Sequence, residues 1–125
     1  MKKSIIFIVI TIVIIIAGVF LFSNKKTTPT IPAPLPISNE YFWGDGCPHC
    51  TTVEEFLTTW ERKDKINIDK KEVWKNKANA KLMSQRATYC ELDKKKLGVP
   101  FLFTPEGICI SGDEPIIEYF KSLQL

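Results

Sequence analysis

Four consecutive residues, Cys47-Pro48-His49-Cys50, carry the most reactive combination in this 125-residue chain. Disulfide exchange is driven by a thiolate, so the chemistry turns on what lowers a cysteine's pKa. Two cysteines three positions apart at a helix start can close a small disulfide ring. The first sulfur then lies at the positive end of the helix, where unpaired amide N–H groups favour an anion. Cys47 is therefore the expected nucleophile. Cys50, one turn further in, is expected to be more buried, to keep a higher pKa and to resolve the mixed disulfide. His49 is the only histidine of the chain. Alone it would read as a solvated residue of an exposed turn. Between two cysteines, as a cation or N–H donor, it stabilises the Cys47 thiolate. Stabilising the reduced form makes the disulfide a stronger oxidant. Pro48 suits a first helical turn, whose amides lack intrahelical acceptors.

These residues need a strand before them and a helix behind them. Ile37 to Trp43 ends in Tyr-Phe-Trp and is bounded by Gly44-Asp45-Gly46, which predicts a strand and a turn. From Pro48, Val53, Phe56, Leu57 and Trp60 recur at helical spacing, predicting a helix to about Arg62. Ile66 to Trp74 reads as a strand. Ala78, Leu82, Gln85, Tyr89 and Leu92 mark a second helix ending before Gly98. Val99 to Phe103 and Ile108 to Ile110 flank Thr104-Pro105-Glu106-Gly107 as a hairpin. Asp113 is placed to cap a last helix whose Ile116, Ile117, Phe120 and Leu123 face inward. The order is β-α-β-α-β-β-α, an α/β domain.

Cys90 and Cys109 form a second set, near the end of the second helix and on the returning hairpin strand. With Cys47 paired to Cys50, they are the remaining pair. Two readings stand: a structural disulfide stapling a small exported domain, or two buried thiols acting as small apolar residues.

Residues 4–22 hold no charged side chain. Nineteen residues at about 1.5 Å of rise reach roughly 28 Å, the thickness of a bilayer core. The run is longer than the apolar core of a cleaved signal and lacks a convincing cleavage site, so 1–22 reads as a retained membrane anchor. Residues 23–37 hold four of the eight prolines and read as a semi-rigid stalk. Residues 38–125 remain for one small domain, which excludes two domains, a large multi-substrate enzyme and a disordered protein. Lys2, Lys3, Lys25 and Lys26 flank the apolar run, and all 14 acidic residues lie beyond it, against 13 basic ones. The domain is near neutral and carries no nucleic-acid footprint. Basic residues before and after the anchor differ little in number. The cysteines, which suit an oxidising compartment, tip the orientation towards N-terminus inside and domain outside.

A CxxC that follows a strand and opens a helix in a βαβ pattern resembles the thioredoxin-like superfamily. Cys-Pro-His-Cys is similar to the motif of the periplasmic disulfide oxidases of the DsbA type. The short element order and Gly112-Asp113 look more like glutaredoxins. The resemblance covers roughly residues 37–123. It implies that Pro100, in Gly98-Val99-Pro100, is a cis-proline facing Cys47 and that the Val99 backbone pairs with an extended substrate. Read without the motif, Pro100 would be an ordinary trans proline opening an edge strand. Two features depart from the pattern. Gly46 stands where thioredoxins carry Trp, with Trp43 three residues earlier. Tyr41 stands where they carry a buried acid, which leaves Glu40, water or nothing as proton acceptor for Cys50.

The leading function class is a membrane-anchored thiol–disulfide oxidoreductase that exchanges disulfides with extracytoplasmic protein clients through Cys47 and Cys50. His49 favours the oxidising direction. No cofactor or metal is expected; a quinone-linked membrane protein is a candidate electron partner. A zinc module is the first alternative, disfavoured because Cys90 and Cys109 are 19 positions apart rather than a second CxxC. A non-catalytic thioredoxin-like adaptor is the second, and the intact CxxC argues against it. Thr51 after Cys50 excludes c-type haem attachment.

Overall fold

The structure, a computed structural model, describes residues 6, 8, 10–16 and 33–124. The chain divides into two units, Met1–Ile31 and Pro32–Leu125. In the first, residues 6, 8 and 10–16 are helical, and their isoleucines are at least half exposed. The rest of the apolar run 4–22 lies outside the described residues, as does most of the 23–37 stalk. Among the described residues no helix is long and apolar enough to cross a membrane.

The second unit is built from β1 (Asn39–Trp43), α1 (Pro48–Thr59), β2 (Ile68–Glu72), α2 (Lys77–Tyr89), β3 (Phe101–Phe103), β4 (Cys109–Ser111) and α3 (Asp113–Ser122). One mixed sheet runs β2-β1-β3-β4. β1 pairs with β2 in parallel, as a strand–helix–strand crossover requires, and β3 is antiparallel to both β1 and β4. This is the predicted α/β order, and the topology is consistent with a thioredoxin-like fold.

Side chains alternate across β1 and β3 and so supply two cores. Tyr41 and Leu102 face α1 and α3, packing with Val53, Leu57, Ile116 and Phe120. Phe42, Phe101 and Phe103 face the other way, against Ala80, Leu82 and Met83 of α2. The helix after the CxxC thus lies on the Tyr41 face and α2 on the Phe42 face.

Several element ends differ from expectation, each for a local reason. α1 stops at Thr59, not Arg62; Trp60 is already extended, and Arg62 instead donates to the carbonyls of Leu123 (2.9 Å) and Lys121 (3.3 Å). A 3₁₀ turn over Lys63–Lys65 delays β2, which ends before Trp74. α2 ends at Tyr89 because Glu91 adopts a left-handed φ of 57°. Ile37 is outside β1 and almost fully exposed, and Val99 and Pro100 precede β3. The α3 N-cap is Gly112 at φ 94°, a conformation in which side chains are strained. Asp113 is therefore the first helical residue, not the cap.

Glu40 and Arg86, 6 % and 4 % exposed, form a bidentate ion pair at 2.7 and 3.2 Å between β1 and α2. Arg86 also donates to the carbonyls of Ala33 (2.9 Å) and Pro34 (2.7 Å), so the end of the proline-rich segment is tied to the domain. Cys90 and Cys109 are joined in a disulfide on this same face, among the residues around Phe103. Replacing Glu40 with Gln leaves a buried guanidinium without its counter-charge. It should cost about 3 kcal/mol in urea unfolding. A loss within error of zero would show that the two carbonyls alone satisfy Arg86.

Candidate functional site

β1 delivers the chain to a tight turn, Gly44-Asp45-Gly46, which must reverse into α1 within three residues. Gly46 sits at φ 80°, so a bulky aromatic there would be strained. The Cys47 amide donates to the Gly44 carbonyl at 3.1 Å and closes the turn. Cys47 is then the N-cap of α1, with Pro48 as its first helical residue. The Cys50 N–H points at Cys47 Sγ, 3.2 Å away, one of the unpaired donors expected at a helix start.

Cys47 and Cys50 are bonded, with Cα atoms 5.2 Å apart. Their burial differs little, 5 % against 2 % exposed. What separates them is position: Cys47 caps the helix and its sulfur takes the Cys50 amide, and Cys50 sits one turn inside. The Val99–Pro100 peptide bond is cis, and the Val99 carbonyl oxygen lies 3.8 Å from Cys47 Sγ. The fold therefore brings Cys47, Cys50, Val99 and Pro100 together from segments 50 residues apart.

His49 projects into solvent, its side chain 71 % exposed, and its Nδ1 lies 3.0 Å from Asp113 Oδ2 at the start of α3. That hydrogen bond is the main reason the Asp113 carboxyl is held below its ordinary value of 3.8. Sequence reasoning missed this partnership. The two residues are 64 positions apart, and Asp113 had a more familiar use as a cap.

The Tyr41 hydroxyl donates to the Cys50 carbonyl at 3.3 Å. Burial raises the Tyr41 pKa strongly, with the negative charges of Glu54 and Asp113 adding to it, so the phenol stays protonated. Tyr41 therefore holds the α1 backbone and offers no base. Glu40 is not the proton acceptor for Cys50 either. It faces α2, on the opposite side of the sheet from α1, and is committed to Arg86. Glu54 of α1, ion-paired to Lys70 of β2, is a carboxylate on the α1 face that sequence reasoning did not single out.

The four cysteines form two separate pairs, Cys47–Cys50 beside α1 and Cys90–Cys109 on the α2 face. A zinc site made of these four cysteines would need their sulfurs around one point, and the two separate pairs do not suit it.

Asp113 links the site to pH. Its folded pKa lies below its unfolded value, so its contribution to stability is present above about pH 4. It is lost as the pH falls through the lowered folded value. Replacing Asp113 with Asn should flatten the fall of the thermal midpoint between about pH 5 and 2. Superimposable acid limbs for the two proteins would show that the His49 contact does not exist in solution.

No protein-family model matches the chain, and no curated protein matches it in sequence. The likeness to a thioredoxin-like fold therefore rests on the element order, the sheet β2-β1-β3-β4 and the Cys47–Cys50 disulfide that directly follows β1.

Proposed function

We propose that the chain is a membrane-anchored thiol–disulfide oxidoreductase that donates its Cys47–Cys50 disulfide to extracytoplasmic proteins, in the manner of DsbA-type oxidases on a glutaredoxin-sized domain. The observation that carries the reading is a disulfide whose first sulfur caps a helix and lies beside a cis Val99–Pro100 bond. A client thiolate attacks Cys47 Sγ, the Cys47–Cys50 bond breaks, and Cys50 leaves as a thiolate and takes up a proton. The client's second thiolate attacks its own sulfur in the mixed disulfide, and Cys47 leaves as a thiolate. Two electrons have passed from the client to the motif; one client proton is on Cys50 and the other in solvent. The helix start and His49 stabilise the Cys47 thiolate, which favours this direction. Val99 offers backbone groups for an extended client. Reoxidation needs an acceptor of electrons, and the anchor at 4–22 favours a quinone-linked membrane protein. The Cys90–Cys109 disulfide supports an oxidising compartment.

In Cys50→Ala the Cys47 thiolate can attack an oxidised client's disulfide, the reverse of this exchange, and no Cys50 is left to resolve the product. The variant should accumulate covalent client complexes that dithiothreitol releases, whereas Cys47→Ala should trap few. Cys90→Ala and Cys109→Ala should trap none and lose about 2–4 kcal/mol of stability. Non-reducing gels of the four variants decide it; clients held through Cys90 or Cys109 would move the chemistry to the other pair. The full chain with a reporter after its C-terminus tests the compartment. Protease added to spheroplasts should digest the reporter, and protection would put the domain in the cytosol.

A further inference from the structure

We propose that Trp74 is a client-binding platform beside Cys47 that takes an aromatic or large aliphatic side chain next to the client's cysteine. The proposal rests on the disulfide-exchange reading above. Trp74 follows β2 in sequence and lies outside the CxxC motif, yet the fold sets its indole on Gly44. A Cβ at Gly44 would overlap the ring, with Cε3 only 2.8 Å away. Gly44 is buried beneath the indole. Its carbonyl is also the acceptor for the Cys47 amide. One residue therefore carries the indole on its Cα and the reactive N-cap on its carbonyl.

The indole nevertheless remains 59 % exposed. A tryptophan that served only to cover a glycine would need no large open surface, and leaving one in water forfeits the burial its area offers. Nor is it a loose side chain on a loose loop. The Glu72 carboxylate accepts from the amides of Trp74 (2.9 Å), Lys75 (2.8 Å) and Asn76 (3.1 Å). Lys75 is ion-paired to Asp45 in the turn before Cys47. The Val73 amide donates to the Trp43 carbonyl at 2.9 Å. An exposed, pre-ordered aromatic loses little entropy when covered, which is the property of an anchor residue at an interface.

The occupant follows from continuity with the reactive sulfur. In the mixed disulfide the client's sulfur is bonded to Cys47, and the residues flanking it advance only about 3.3 Å each along an extended chain. Gly44, hydrogen-bonded to the Cys47 amide and covered by the indole, lies within reach of those residues. The charges of the adjoining Asp45 and Lys75 neutralise each other, so the indole selects by apolar surface and not by charge.

The full chain, loaded as the disulfide, is mixed with two synthetic dithiol peptides that differ only in Phe or Ser beside one cysteine. Dithiothreitol serves as a third, small dithiol. The wild type should oxidise the Phe peptide about tenfold faster than the Ser peptide. Trp74→Ser should bring that ratio to about one, with the dithiothreitol rate and the midpoint potential unchanged, and Trp74→Phe should retain the preference. Gly44→Ala, which displaces the indole while leaving it in the chain, should weaken the preference in the same way. A preference that survives in Trp74→Ser, or none in the wild type, overturns the proposal. Failure of the wild type to oxidise even dithiothreitol would instead remove the exchange reading on which it rests.

Discussion

A buried guanidinium holds the domain together. Arg86 reaches from α2 to the Glu40 carboxylate of β1, to the carbonyls of Ala33 and Pro34, and lies 4.7 Å over the Phe103 ring of β3. Its own carbonyl lies 3.5 Å from Cys109 Sγ on β4. Charges taken out of water are costly unless every donor is satisfied, so this side chain fixes the relative placement of helix, strands and incoming segment at once. The Cys90–Cys109 disulfide repeats the constraint covalently one turn further along α2. Both constraints lie on the α2 face of the sheet.

The opposite face of the sheet carries the Cys47–Cys50 disulfide. Burying Glu40 on the α2 side leaves its neighbour Tyr41 to point towards α1, where its hydroxyl takes the Cys50 carbonyl. β1 therefore ends in a fixed direction, and the turn that follows has few ways to enter the helix. Gly44 must be small because Trp74 lies on it, and Gly46 must tolerate a positive φ. The outcome is a helix that begins at a cysteine, with the Cys50 amide directed at its sulfur.

Three segments meet around the disulfide. The start of α1 holds the sulfurs, the residues before β3 bring the Val99 carbonyl beside Cys47, and the start of α3 brings Asp113 to His49. Gly112 is the small detail behind one of these. It caps α3 at a positive φ, which puts Asp113 in the first turn, where its carboxylate meets His49.

Local sequence determined the elements and their order. Val53, Leu57, Ile116 and Phe120 repeat at helical spacing, and the apolar triplet Phe101-Leu102-Phe103 stands beside turn residues, so pattern alone reveals them. The Cys47-Pro48-His49-Cys50 motif was legible for the same reason: its chemistry lies within four residues at one strand-to-helix junction. Element ends were less so, because a turn of 3₁₀ helix at Lys63–Lys65 or one left-handed residue at Glu91 leaves almost no periodic trace. Partnerships across the fold were not legible at all. Glu40 and Tyr41 are adjacent in sequence, and which of them faces Cys50 depends on strand register, since neighbouring residues point to opposite faces. Likewise Asp113 meets His49, and Trp74 covers Gly44, only because packing closes distances that the chain leaves open; tertiary structure alone decided these contacts.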